Sequence, residues 1–246
     1  MHRCVRYKTK PEETNVISKA IVIKTPNSIN VSYDAVSITY DATSRSTTVF
    51  YHGLREEDRV FNQLQRNSRL CLHPLFFATV IYANHRQYIS DYKCVVDGHL
   101  FYTEEQIGYA KPGALERIKI PLMEKSSQDI VDYKPLVKRL QSYRTELAGI
   151  GHVTRFSVEC GDFLVKLLEE MNTFSPFNED AMLRKLGESI LHELEFSKNL
   201  SLTMMSQRQA LEDRVQGQSA LVSRTHSTRR EISRFSKLLT YCRSSA

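Results

Sequence analysis

The stretch LVKRLQSYRTELAGIGHVTRFSVECGDFLVKLLEEM, residues 136–171, decides the fold. Leu136, Leu140, Tyr143, Leu147 and Ile150 alternate steps of four and three, and Leu164, Leu168 and Met171 resume that rhythm, so each series lines one face of an α-helix. Val153, Phe156, Cys160, Phe163 and Leu167 form a second stripe on a neighbouring face. Two stripes predict a helix buried over a wide arc between partners. Gly149, Gly151 and Gly161 are its weak points, and a kink is expected near Gly149.

Downstream, Ser175-Pro176 has the form of an N-cap followed by a first-turn proline, which predicts the start of the last helix there. Leu183, Leu186, Ile190, Leu194 and Phe196 supply its packing residues. From Ser206 to Glu231 only Ala210, Leu211, Val215, Ala220, Leu221 and Val222 are apolar. A thin seam runs Leu211, Val215, Gln218, Val222, Thr225, Arg229, Ile232, polar at alternate core positions. So polar a helix is not expected to be a core element of a monomer. The expectation is that residues 206–240 are helical only on association, as a stalk or around a wet axis.

Upstream, the periodicity is that of strands. Ala20-Ile21-Val22-Ile23 is a short apolar run between Lys19 and Lys24. Ile29, Val31 and Tyr33 alternate with polar residues, as do Val36, Ile38 and Tyr40, and Thr47 to His52 adds a β-branched and aromatic segment. Such alternation predicts a small antiparallel sheet with one buried face. Glu56-Glu57-Asp58 suits a helix N-terminus, and Val60, Phe61, Leu64 and Leu70 give that helix its apolar side. His73-Pro74 breaks the chain, and Leu75 to Tyr92 is the helix expected to cover the sheet, with Phe77 and Ile81 buried against it. Asp97-Gly98 is expected to end that helix. An irregular connector then runs from His99 to Asp132, with a strand at Arg117 to Pro121. The fold class is therefore α+β: a small antiparallel sheet covered by helices, then long antiparallel helices forming a stalk or coiled-coil-like bundle. The expected domains are 1–130, α/β, and 131–246, the long-helix stalk.

Composition narrows the function classes. Nine glycines and seven prolines in 246 residues favour long helices over loop-rich or collagenous folds. The five cysteines are far apart and form no Cys-x-x-Cys, which points away from zinc sites and toward a reducing, cytoplasmic setting. The longest nearly apolar stretch, Leu75 to Ala83, is far short of the roughly 20 residues that cross a bilayer. Of the chain's net charge of +6, a surplus of five lies in residues 207–246, where eight basic residues meet three acidic ones. An anionic membrane surface is one expected partner of that segment; specific nucleic-acid reading is not expected, since only Phe235 and Tyr241 could stack on bases.

Motifs for chemistry fail one by one. His192-Glu193-Leu194-Glu195-Phe196 has Phe196 where a zinc-binding His-Glu-x-x-His motif needs its second ligand. Gly149-x-Gly151 follows no strand, so it is no dinucleotide loop. Cys71, His73 and His85 lack a shared helical spacing for metal ligation, and Glu56, Glu57 and Asp58 read first as a helix start. No catalytic or cofactor-binding residue is assigned, the metal ligands are left unassigned, and the chain is read as a non-enzyme.

The order of these elements, the Leu72-His73-Pro74-Leu75 helix start and the polar helix with Gln209-Ala210-Leu211-Glu212-Asp213-Arg214-Val215 resemble the fungal CorA-like proteins, relatives of the CorA magnesium transporters. The resemblance covers roughly residues 55 to 240. It implies the cytosolic part of a divalent-cation transporter, with magnesium as an effector by resemblance alone. The family's Gly-Met-Asn pore motif is missing, since Met171-Asn172 follows Glu170. The two membrane helices would begin about where the sequence stops at Ala246, so transport by this chain alone is not expected. Residues 206–240 are the expected surface for a homo-oligomer or coiled-coil partner, with membrane association through that partner. The reading of another class is a free-standing helical interaction scaffold.

Overall fold

The computed structural model describes residues 4–9, 16–27, 34–53, 57–107, 133–174 and 177–244. Four strands, β1 (Cys4–Thr9), β2 (Val16–Lys24), β3 (Asp34–Asp41) and β4 (Ser46–Gly53), form an antiparallel meander in sequence order. The helices are α1 (Glu57–Arg66), α2 (Phe76–Ile107), α3 (Tyr133–Met171) and α4 (Ala181–Ser244), with a 3-10 turn at Ser68–Leu72 between α1 and α2. The α+β class with long packed helices is thus correct. β1 was not foreseen. The expected strand at Ile29 to Tyr33, the strand at Arg117 to Pro121, and Glu56 lie outside the described residues.

Period-2 alternation does what it predicts. Ile21 and Ile23 of β2 pair across the ladder with Ile38 and Val36 of β3, and all four are buried. Leu75, Phe76, Ala78, Val80, Ile81 and Tyr82 join them in one apolar core, together with Phe156, Cys160, Leu164, Leu167 and Leu168 of α3 and Ile190 and Leu194 of α4. Ile81 is buried as expected. Phe77 is only partly buried, its ring edge-on to Tyr51 at 5.7 Å.

The helices are longer than their local signals suggest. α2 passes through Asp97-Gly98 without a break and spans 32 residues, so that stretch is helix interior. α3 runs 39 residues through all three glycines. α4 is 64 residues long. It begins after Asp180, whose carboxylate accepts from the backbone N–H of Met182 at 2.8 Å and Leu183 at 3.2 Å; this side-chain cap stands where Ser175 was expected, and Ser175-Pro176 lies outside the described residues.

Compactness divides the chain differently from a cut at residue 130. One unit comprises Met1–Tyr92 with Gly149–Gln207, and the other Lys93–Ala148 with Arg208–Ala246. The reason is the helix length: α2, α3 and α4 each contribute one segment to each unit. Within residues 206–240, the polar seam packs inside one chain as far as Val222, where a stalk or wet axis was expected. The α4 backbone is helical throughout, and Leu211, Val215, Gln218 and Val222 are buried. Phe196, expected to pack, is 57% exposed.

Candidate functional site

In the first unit, α1, α2 and α4 enclose an open groove of about 320 Å³. Its polar residues are Gln63 and Arg66 of α1, Asn67 just beyond it, Thr79 of α2, and Ser189 and Glu193 of α4, over Phe76, Val80, Ala83 and Ile190. The groove exists because the chain turns between α1 and α2 rather than continuing one helix. His73 N–H donates to the Leu70 carbonyl at 3.0 Å, and Phe76 N–H donates to the His73 carbonyl at 3.0 Å.

The titratable residues singled out in the sequence are placed apart. Cys71 is exposed, while His73 and His85 are buried. His73 Nδ1 accepts from the Leu75 N–H at 3.3 Å, which places its proton on Nε2. The His85 ring stands edge-on to Phe156 at 5.7 Å. Burial pushes both imidazoles down to about 4, so they are neutral packing groups at ordinary pH. His192 is exposed, the surface helical histidine it was expected to be. Among the described residues no three potential ligands gather for a metal ion.

Two polar clusters escaped the sequence reading. Lys19, taken as a charged boundary of the β2 run, points inward with a side chain 4% exposed. Its Nζ lies 3.7 Å from a Glu170 carboxylate oxygen and 5.4 Å from the Phe174 ring centre. Desolvation lowers the amine's pKa, and Glu170 opposes the shift. The neighbouring cavity, lined by Tyr40, Met171, Phe174 and Phe177, measures about 20 Å³, room for about one water molecule. The usable signal was the spacing Lys19, Ile21, Ile23, which places all three on one face of the strand.

The second cluster belongs to the second unit. Arg214 on α4 donates from Nη1 to Asp97 Oδ1 at 2.7 Å, from Nε to Glu104 Oε1 at 3.0 Å and from Nη2 to Glu104 Oε2 at 2.8 Å. Its guanidinium also lies 4.8 Å from the Phe101 ring centre. Gln218, one turn further along α4, donates to Glu104 Oε1. The spacing supplies the geometry: Asp97, Phe101 and Glu104 fall on one face of α2, and Arg214 and Gln218 on one face of α4. Burial works against the Arg214 charge, but the bonds to Glu104 and Asp97 outweigh it and raise its pKa. Nearby, Tyr143 Oη donates to the His99 carbonyl at 3.3 Å and lies 3.2 Å from Thr103 Oγ1. Both Glu104 oxygens and Asp97 Oδ1 accept from α4, an arrangement that holds the two helices together.

These features define an α+β protein with a four-stranded meander and three long helices. No family model matches the chain, and no curated protein is detectably similar to it. No helix among the described residues is long and apolar enough to cross a membrane.

Proposed function

We propose that the chain is a non-enzymatic cytoplasmic module similar to the cytosolic part of CorA-like divalent-cation transporters, and not competent for transport by itself. The observation that carries this reading is the element order, a small sheet followed by helices of 32, 39 and 64 residues. A helix as long as α4 spans about 96 Å at 1.5 Å per residue, a length suited to a stalk. The Arg214 cluster, which joins α2 to α4, supports a mechanical role over a chemical one. With Asp97 and Glu104 held by Arg214, a response to magnesium would draw on carboxylates shared between copies.

Sedimentation velocity of the full chain, with magnesium and then with a chelator, tests this reading. A mass that changes reversibly with magnesium is the expected result. A mass indifferent to magnesium would reject the transporter-like reading in favour of a helical interaction scaffold.

A further inference from the structure

The groove of about 320 Å³ lies wholly within the first unit and brings three chemistries together. Its floor is apolar. Phe76, Val80 and Ile190 are buried beneath it, and the line from Phe76 to Ala83 runs about 10 Å along α2 at 1.5 Å per residue. Its two charged residues stand on different walls, Arg66 at the end of α1 and Glu193 on α4. Both are exposed, and among the described residues neither makes an ion pair or a side-chain hydrogen bond. The third chemistry is that of carboxamides. Asn67 donates only through Nδ2, to the Gln63 carbonyl at 3.0 Å, and the Gln63 carboxamide has no partner among the described residues. The hydroxyls of Thr79 and Ser189, by contrast, are turned onto their own helices, donating to the carbonyls of Leu75 at 3.0 Å and Lys185 at 3.2 Å.

We propose that the groove binds a short apolar peptide, about two or three residues long, by its free termini. The floor takes the apolar side chains, Arg66 holds the terminal carboxylate, and Glu193 accepts from the terminal ammonium. Gln63, with a donor and an acceptor on one carboxamide, matches the peptide group between them. Two unpaired charges of opposite sign on separate walls are the first argument. A fatty acid would make no use of Glu193, and an alkyl amine would make none of Arg66. Size is the second. The volume lies at the lower end for small-ligand sites, and three extended residues span about 10 Å, the length of the floor. A longer polypeptide would carry its termini outside the groove, so the termini are what identify the ligand. This inference goes beyond the function proposed above and does not depend on it.

The test is calorimetric titration of the full chain with trileucine. The comparisons are trileucine acetylated at its N-terminus, amidated at its C-terminus, or blocked at both ends, and triglycine. Trileucine is expected to bind. Each blocked end should weaken binding about fivefold, the effect of one well-placed exposed ion pair. Triglycine should bind more than about tenfold more weakly, since it lays no side chain on the floor. Arg66→Gln should then bind free and amidated trileucine alike, and Glu193→Gln should bind free and acetylated trileucine alike. Both side chains are exposed, so these variants should keep the fold. Ala83→Leu, which fills the floor, should lose binding, with circular dichroism melts confirming that the protein is folded. No binding of trileucine at millimolar concentration would overturn the proposal. So would end preferences that survive both charge variants, or a folded Ala83→Leu protein that binds as before. Doubly blocked trileucine binding as tightly as the free peptide would also overturn it, and would assign the groove to an internal segment of a protein partner.

Discussion

The same helix, α4, serves two kinds of interior. In the first unit it contributes Ile190 and Leu194 to an apolar core shared with the sheet, α2 and α3. In the second it brings Arg214 and Gln218 to a carboxylate that is nearly buried. The first interior gains stability from area removed from water, which tolerates imprecise geometry. The second depends on direction: a bidentate guanidinium–carboxylate pair has few acceptable registers. The comparison teaches a division of labour in which an apolar core supplies stability and a polar cluster fixes how the helices align.

Breaking the apolar side should cost most. Ile81→Ala is expected to destabilise by about 2–5 kcal/mol, the range for emptying a buried aliphatic site. Phe77→Ala should cost less than a fully buried aromatic, because its ring is only partly covered. Urea melts of both variants give the ranking, and an Ile81→Ala change under about 0.5 kcal/mol would mean that the core is not where the burial places it.

Acid should come next, through His73 and His85. Each has an ordinary value of 6.5 and a folded value near 4. The unfolded chain therefore binds their protons first as pH falls. Their contribution is complete above about pH 6.5 and drains away toward about pH 4, on the order of 3 kcal/mol for each at most. Melts at pH 7.5 and pH 5 should diverge in the parent and diverge less in His85→Leu. Parallel pH dependence in the two proteins would show that His85 is not held neutral.

The polar side should respond more modestly. Glu104→Ala strands Arg214 and Gln218, yet Arg214 keeps a third of its side-chain surface in water, so the loss is set at about 1–3 kcal/mol. A double-mutant cycle with Arg214→Ala should return a coupling above about 0.5 kcal/mol that salt barely changes. Strict additivity would reduce the cluster to a surface contact.

These contrasts explain what the sequence could and could not disclose. The stripes of α3 and the alternation of β3 are periodic and local, so the core residues from Leu136 to Met171 were legible. Asp97-Gly98 looked like a helix end because its partner is remote: Asp97 meets Arg214, 117 residues away. Gln218 was recognised as a polar residue on a core line, but its partner Glu104 could not be, and without that partner an oligomer axis was the simpler reading. Lys19 shows the converse, since strand period placed it inside while its charge argued for the outside. The groove was invisible because its lining comes from three elements joined only in the folded chain.

Two helical glycines sharpen the comparison, the second with the smallest expected effect. A methyl group at Gly161, in the first unit, would lie 2.6 Å from Tyr82 Oη and 3.3 Å from Lys198 Cβ. The Tyr82 ring is buried and has little room to give. Gly161→Ala should therefore destabilise by about 1–3 kcal/mol despite alanine's better helix propensity. At Gly217, in the second unit, nothing lies within 4 Å of the added carbon, so only the backbone term remains. Alanine there narrows the unfolded ensemble and suits the helix, and Gly217→Ala should stabilise by about 0.5–1 kcal/mol. Opposite signs in matched urea melts are the expected outcome. A loss at Gly217 would mean that this stretch of α4 meets something closer than its own chain.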